Sequence, residues 1–137
     1  MTLRVNYFSG TDQLTLGRGD TLALAITGLG SLAAIDDLWF AVKRYQSDTD
    51  AAAEILIGLV DGLISIAGAV AGTPANGSIV IDDAASGDIT VNLTAGEMAE
   101  IDALNGYWDV QSLTGAAVAT LRRGKVRILG DTTRRIT

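Results

Sequence analysis

The 137-residue chain contains no histidine and no cysteine. Histidine is the commonest general acid or base near neutral pH. Its absence together with that of cysteine removes Ser-His-Asp and Cys-His catalysis and the usual zinc sites. No disulfide can form either, so the fold has to be held by packing and hydrogen bonds. The chemistry that remains is that of carboxylates, an unusual lysine, or a hard cation bound through oxygen. There is one proline, Pro74, and only 5% of the residues are aromatic, which leaves little material for a sugar-stacking platform. An uninterrupted membrane-length run is also missing. The most apolar stretch, "EILIGLVDGLISIAGAV" at 54–70, carries Asp61 at its centre with Gly58, Gly62 and Gly68 around it. A spanning helix needs about 20 predominantly apolar residues without a buried charge. The opening "MTLRVNYFSGTD" lacks the apolar core and cleavage site of a secretory signal, so synthesis and retention in a cytoplasm are expected.

Charge is present but unevenly placed. The net charge is −6. Residues 1–121 sum to −11 and residues 122–137 to +5, giving an acidic body with a basic end. The cations of that end are Arg122, Arg123, Lys125, Arg127, Arg134 and Arg135. Phosphate would be opposed by the acidic body at longer range, so no specific nucleic-acid partner is expected. A carboxylate-rich protein surface, including that of another copy, is the better electrostatic partner. The plainer alternative is that these side chains are the solvated positions of the last strands.

Most of the chain reads in steps of two. "TLALAIT" puts Leu22, Leu24 and Ile26 on one face, and "DLWFAVKRY" puts Leu38, Phe40 and Val42 inward with Trp39, Ala41 and Lys43 on the other side. The 54–70 stretch splits into two β-rich runs around Asp61-Gly62, a dipeptide suited to a tight hairpin turn. "SIVID" and "DITVNL" follow, the second with Ile89, Val91 and Leu93 on a common face. "TAGEMAEIDAL" breaks the pattern. Thr94 with Glu97 forms a capping-box spacing, and Met98, Ile101 and Leu104 recur at helical intervals, which predicts one short helix of about two turns near 94–104. "GYWDVQSLT", "AAVATLRRG" and "KVRILG" then read as strands separated by turns at Gly115 and Gly124. This is the pattern of an all-β, antiparallel, immunoglobulin-like β-sandwich. Residues 1–13 are expected as an N-terminal arm or first strand and 14–137 as a single sandwich domain.

Candidate sites are few. Arg18-Gly19-Asp20 is the tripeptide read by integrins on exposed loops, but a turn before the next strand explains it more simply. Asp36-Asp37, Asp48 with Asp50, and Asp82-Asp83 with Asp88 are paired acids without EF-hand spacing. They are loop residues or, at the last group, a structural calcium site. Trp39, Tyr107 and Trp108 read as packing groups at strand faces with their polar atoms near the surface. Beside Asp109 they also suggest a second class, a carbohydrate-binding or weakly hydrolytic sandwich. With 48% hydrophobic residues and two lysines, the outer faces should be apolar enough to bind neighbours, with Trp39 prominent among them.

The last third, "GYWDVQSLTGAAVATLRRGKVRILGDTTRR", resembles the closing strands of a bacteriophage virion module. This is the sandwich domain that forms the amino-terminal part of baseplate upper proteins and of many small tail-associated proteins. The corresponding positions are Tyr107, Asp109, Val110 and Gln111, then Gly115, then Val118, Thr120 and Leu121, then Gly124, then Val126 and Ile128, then Asp131, Thr133 and Arg134. The R-G-D-T turn of Arg18 to Thr21, the F-x-V-K segment of Phe40 to Lys43 and the L-T-x-x-E element of Leu93, Thr94 and Glu97 extend the likeness over most of residues 14–135. The resemblance implies a non-enzymatic virion structural protein with no cofactor, an adaptor of the tail or baseplate that docks fibres or receptor-binding proteins. A capsid decoration protein is the nearest alternative. The implied partners are other virion proteins and further copies of the chain, without a membrane. The implied location is the virion, after synthesis in the host cytoplasm. Trp39, Trp108, Arg122, Arg123, Lys125, Arg127, Arg134 and Arg135 are the interface candidates.

Overall fold

The computed structural model describes residues 2–5, 13–17, 21–45, 52–70 and 77–130, with the side chains of 2–5 and 69–70 excepted. Eleven strands and one helix occur among them. The strands are β1 Thr2–Val5, β2 Leu14–Gly17, β3 Leu22–Ile26, β4 Asp37–Lys43, β5 Ile55–Gly58, β6 Gly62–Ile66, β7 Ala69–Val70, β8 Ser78–Asp83, β9 Asp88–Leu93, β10 Leu104–Thr114 and β11 Ala117–Leu129. The helix, α1, is Ala95–Ala99. No described helix is long and apolar enough to cross a membrane.

Alternation decides which side of each strand is buried. Leu24, Ile26, Leu38, Phe40, Val42, Ile89 and Val91 are all fully buried, while the residues between them face outward, as a two-layer β-structure requires. The smaller sheet has the order β1-β3-β9-β8 and the larger β2-β11-β10-β4-β5-β6-β7. The two enclose one continuous apolar core. The architecture is an immunoglobulin-like sandwich in which β5, β6 and β7 widen the sheet containing β4, β10 and β11. Pairing is antiparallel except at two places, where β1 lies parallel to β3 and β2 parallel to β11. At the centre, where such domains often hold a disulfide, the Phe40 and Trp108 rings stand 6.3 Å apart at a tilt of 33°, in one cluster with Leu24.

The 54–70 stretch is a hairpin extended by a third strand. β5 pairs with β6 and β6 with β7, and Gly62 takes the positive φ of +72° that the first reversal demands. In the second, two-residue reversal both central residues have positive φ, Ala67 at 54° and Gly68 at 80°.

The capping box forms as its spacing predicts. Glu97 N donates to Thr94 Oγ1 at 3.1 Å, and Thr94 N donates to Glu97 Oε1 at 3.0 Å. The helix is nevertheless shorter than the apolar spacing implies. It stops at Ala99, and although Met98, Ile101 and Leu104 are all buried, Leu104 is already the first residue of β10. The segment carries the chain from the smaller sheet to the larger, and one turn is enough to cover that end of the core.

Gly124 is not a turn. β11 runs unbroken for 13 residues, and Gly124 lies within it, directly opposite Trp108. Paired residues project to the same face of a sheet, so the glycine leaves room on the core side for the indole.

Candidate interaction surface

The long β10–β11 hairpin positions most of the candidate residues. Its core-facing row on β10 is Leu104, Gly106, Trp108, Val110 and Ser112, all buried. Across from them on β11 stand Ile128, Val126, Gly124 and Arg122. A register shift after Val110, which leaves Leu121 as the extra residue, ends this row. The outward row of β11 is therefore Val118, Thr120, Arg123, Lys125, Arg127 and Leu129. It faces Leu113, Gln111, Asp109, Tyr107 and Asn105 on β10.

This register separates the candidates. Arg123, Lys125 and Arg127 are exposed and successive on one face. Arg123 lies opposite Asp109, a cross-strand pair of opposite charge. Arg122 instead turns toward the space between the sheets, where Nη2 donates to the Gly28 carbonyl at 2.9 Å, so it ties the layers together and is not an outward contact. Trp108 is a second correction. It is 2% exposed and belongs to the core, because the even-numbered positions of β10 from Leu104 to Ser112 face inward. It offers a sugar no platform. Arg134 and Arg135 lie outside the described residues, as do Asp131, Thr133, Pro74, Asp48, Asp50 and the Arg18–Asp20 tripeptide.

Trp39 does lie on the outer face of the larger sheet, but it does not stand free. Together with Ile64 it packs against Ala41, Ala53 and Leu56, all three buried, as a small second cluster. Gly58 makes this possible: a Cβ there would come within 3.2 Å of Trp39 Cδ1 and 3.3 Å of Ile64 Cδ1. The outer face is thus less apolar to solvent than composition suggests, because its large side chains cover one another.

The paired acids act as staples between loops. Gly115 N donates to Asp36 Oδ2 at 2.6 Å, which fixes the β10–β11 turn, and Val60 N donates to Asp37 Oδ1 at 3.3 Å, which fixes the β5–β6 turn. In the β8–β9 turn Asp83 Oδ1 accepts from Ala85 N and Ser86 N, and Ser86 Oγ donates to Asp83 Oδ2. Gly28 N donates to Asp88 Oδ1 at 3.2 Å. No group of three or more metal-ligating side chains occurs among the described residues. For Asp36, Asp37 and Asp88 this role was not visible in the sequence, because the partner lies 79, 23 and 60 residues away, respectively.

No family model and no curated protein matches the chain. Among solved structures, one chain resembles it from work titled as structure-based site-directed photo-crosslinking analyses of multimeric cell-adhesive interactions of VGSC beta subunits. The similarity covers 94% of this chain and 100% of that chain, at 12% identity and a TM-score of 0.41.

Proposed function

We propose that the chain is a non-enzymatic structural protein of a bacteriophage particle, an adaptor in the tail or baseplate region that docks fibres or receptor-binding proteins. The observation that carries the docking role is the outward row of β11. Arg123, Lys125 and Arg127 stand exposed on one face of an otherwise acidic body, on a strand held between β10 and β2, with each of the three paired across to β10. Rigid presentation of aligned charge favours a complementary protein surface over a diffusible ligand, because little conformational entropy is lost on contact. The phage assignment draws its support from the ordered likeness of residues 14–135 to the virion sandwich module. A role in capsid decoration uses the same fold and surface and differs only in position on the particle.

The test is to locate the chain in particles produced by the genetic element that encodes it, by mass spectrometry followed by cryo-electron microscopy. The adaptor reading expects density at the tail or baseplate, following the tail axis. Density at local two-, three- or sixfold positions of the shell would replace it with decoration. Particles without the chain would overturn both.

A further inference from the structure

We infer that the basic row of β11 docks onto the outer face of the smaller sheet of a second copy, so that the chain associates with itself head to tail. Alternate residues of a strand recur about every 6.7 Å, so Arg123, Lys125 and Arg127 place three cations within about 13 Å. Exposed apolar side chains stand at either end of the row, Val118 at 58% and Leu129 at 37% exposure. The residues across the strand from Lys125 and Arg127 are Tyr107 and Asn105, so among the described residues of β10 only Asp109 places a carboxylate opposite this row of three cations.

A surface of matching chemistry lies on the other sheet. Val80, 47% exposed, faces outward from β8, and Asp82 follows on the same side, where Thr90 Oγ1 donates to its Oδ2 at 2.6 Å. Asp83 and Asp88 close the same hairpin. This face therefore presents an apolar side chain beside acids, and the β11 face an apolar side chain beside cations.

Contact chemistry names the partner. The acidic body opposes phosphate and another copy alike at long range, with −6 on each chain, but at contact distance only another copy offers the row a face of carboxylates beside an apolar side chain. The two surfaces lie on opposite sides of a two-layer sandwich, so one molecule cannot close the contact on itself. A contact between unlike faces leaves a free face at each end and propagates to a ring or filament. The inference deepens the assembly reading by naming one of its partners, yet it can be tested in purified protein without any particle.

Sedimentation velocity of the full chain should show association that weakens as salt is raised, because exposed charges are screened over a Debye length of about 8 Å at 0.15 M. Arg123→Gln with Lys125→Gln should abolish association, and so should Val80→Ser with Asp82→Asn, substitutions that remove charge without reversing it. An equimolar mixture of the two variants should form a dimer and stop there, since each retains only one of the two faces. Circular dichroism checks that both are folded. A wild-type chain that stays monomeric at low salt and high concentration overturns the inference, as does a mixture that fails to pair. Tight binding of a fluorescent single-stranded oligonucleotide by the wild type, lost with Arg123→Gln and Lys125→Gln, would reassign the row to nucleic acid. Failure here with the chain present in virions leaves the adaptor reading standing, and the reverse result removes that reading alone.

Discussion

The guanidinium of Arg122 reaches from β11 to the carbonyl of Gly28, 94 residues earlier, and donates a hydrogen bond of 2.9 Å across the edge of the sandwich. The same glycine's N–H is held by Asp88, so one short loop is gripped from both sheets. The β8–β9 turn is latched to this loop as well: Leu29 N donates to the Gly87 carbonyl at 3.0 Å and Leu32 N to that of Ala84 at 2.7 Å.

Arg122→Ala should therefore cost stability although the residue belongs to a basic run on the sequence. Hydrogen bonds to charged groups contribute about 1.5–3 kcal/mol, and that is the loss expected in urea denaturation. Arg122→Lys should recover only part of it, because an ammonium on a flexible stem does not reproduce the planar donor. Unchanged stability in Arg122→Ala would return this residue to the surface set.

Trp108 and Gly124 should fail together. Trp108→Ala removes a fully enclosed indole and should cost about 3–5 kcal/mol. Gly124→Val forces a branched side chain onto the core side opposite it and should cost about 1–3 kcal/mol. In Trp39→Phe, which leaves one tryptophan, emission should be blue-shifted and poorly quenched by iodide; ready quenching would contradict the burial of Trp108.

Ala67 holds a left-handed backbone angle that L-residues with a Cβ adopt at a cost of about 1–2 kcal/mol. Ala67→Gly and Ala67→Asn should stabilise the protein by roughly 0.5–1 kcal/mol, the gain for glycine being reduced by its freer unfolded chain. The side chain is exposed, so no packing is lost. A rise in the midpoint of thermal unfolding for both variants is the readout, and Ala67→Val should move it down.

Thr94→Ala breaks the reciprocal cap of α1 and should destabilise by about 1 kcal/mol. Thr94→Ser and Thr94→Asp keep the oxygen acceptor and should remain near wild type in the same melt. Equal losses in all three would mean that the cap contributes nothing beyond local packing.

Strand positions were legible wherever one face is buried and no residue interrupts the alternation, as in Leu22–Ile26, Leu38–Val42 and Ile89–Leu93. The reversal at Asp61-Gly62 and the Thr94–Glu97 cap were legible because their signals are local. What escaped depends on a residue from elsewhere. Gly124 reads as a break until Trp108 is placed across from it. Arg122 and Arg123 read as one basic pair until the register, with its extra residue at Leu121, sends one inward and one outward. Trp39 reads as exposed until Gly58, on the neighbouring strand, opens a slot for its ring. The parallel pairing of β1 and β2 leaves no mark in either strand's composition.

That parallel pairing has a consequence for the order of events during synthesis. β2 rests beside β11, with Leu14 opposite Val126, so a strand made early has no seat until one made far later has emerged. β1 meanwhile belongs with β3 in the other layer, so the opening segment is a strap sewn to both sheets at opposite times. Folding of this kind waits on its most distant partner. A nascent chain halted before β11 would hold β2 ready and unclaimed, open to the wrong neighbour.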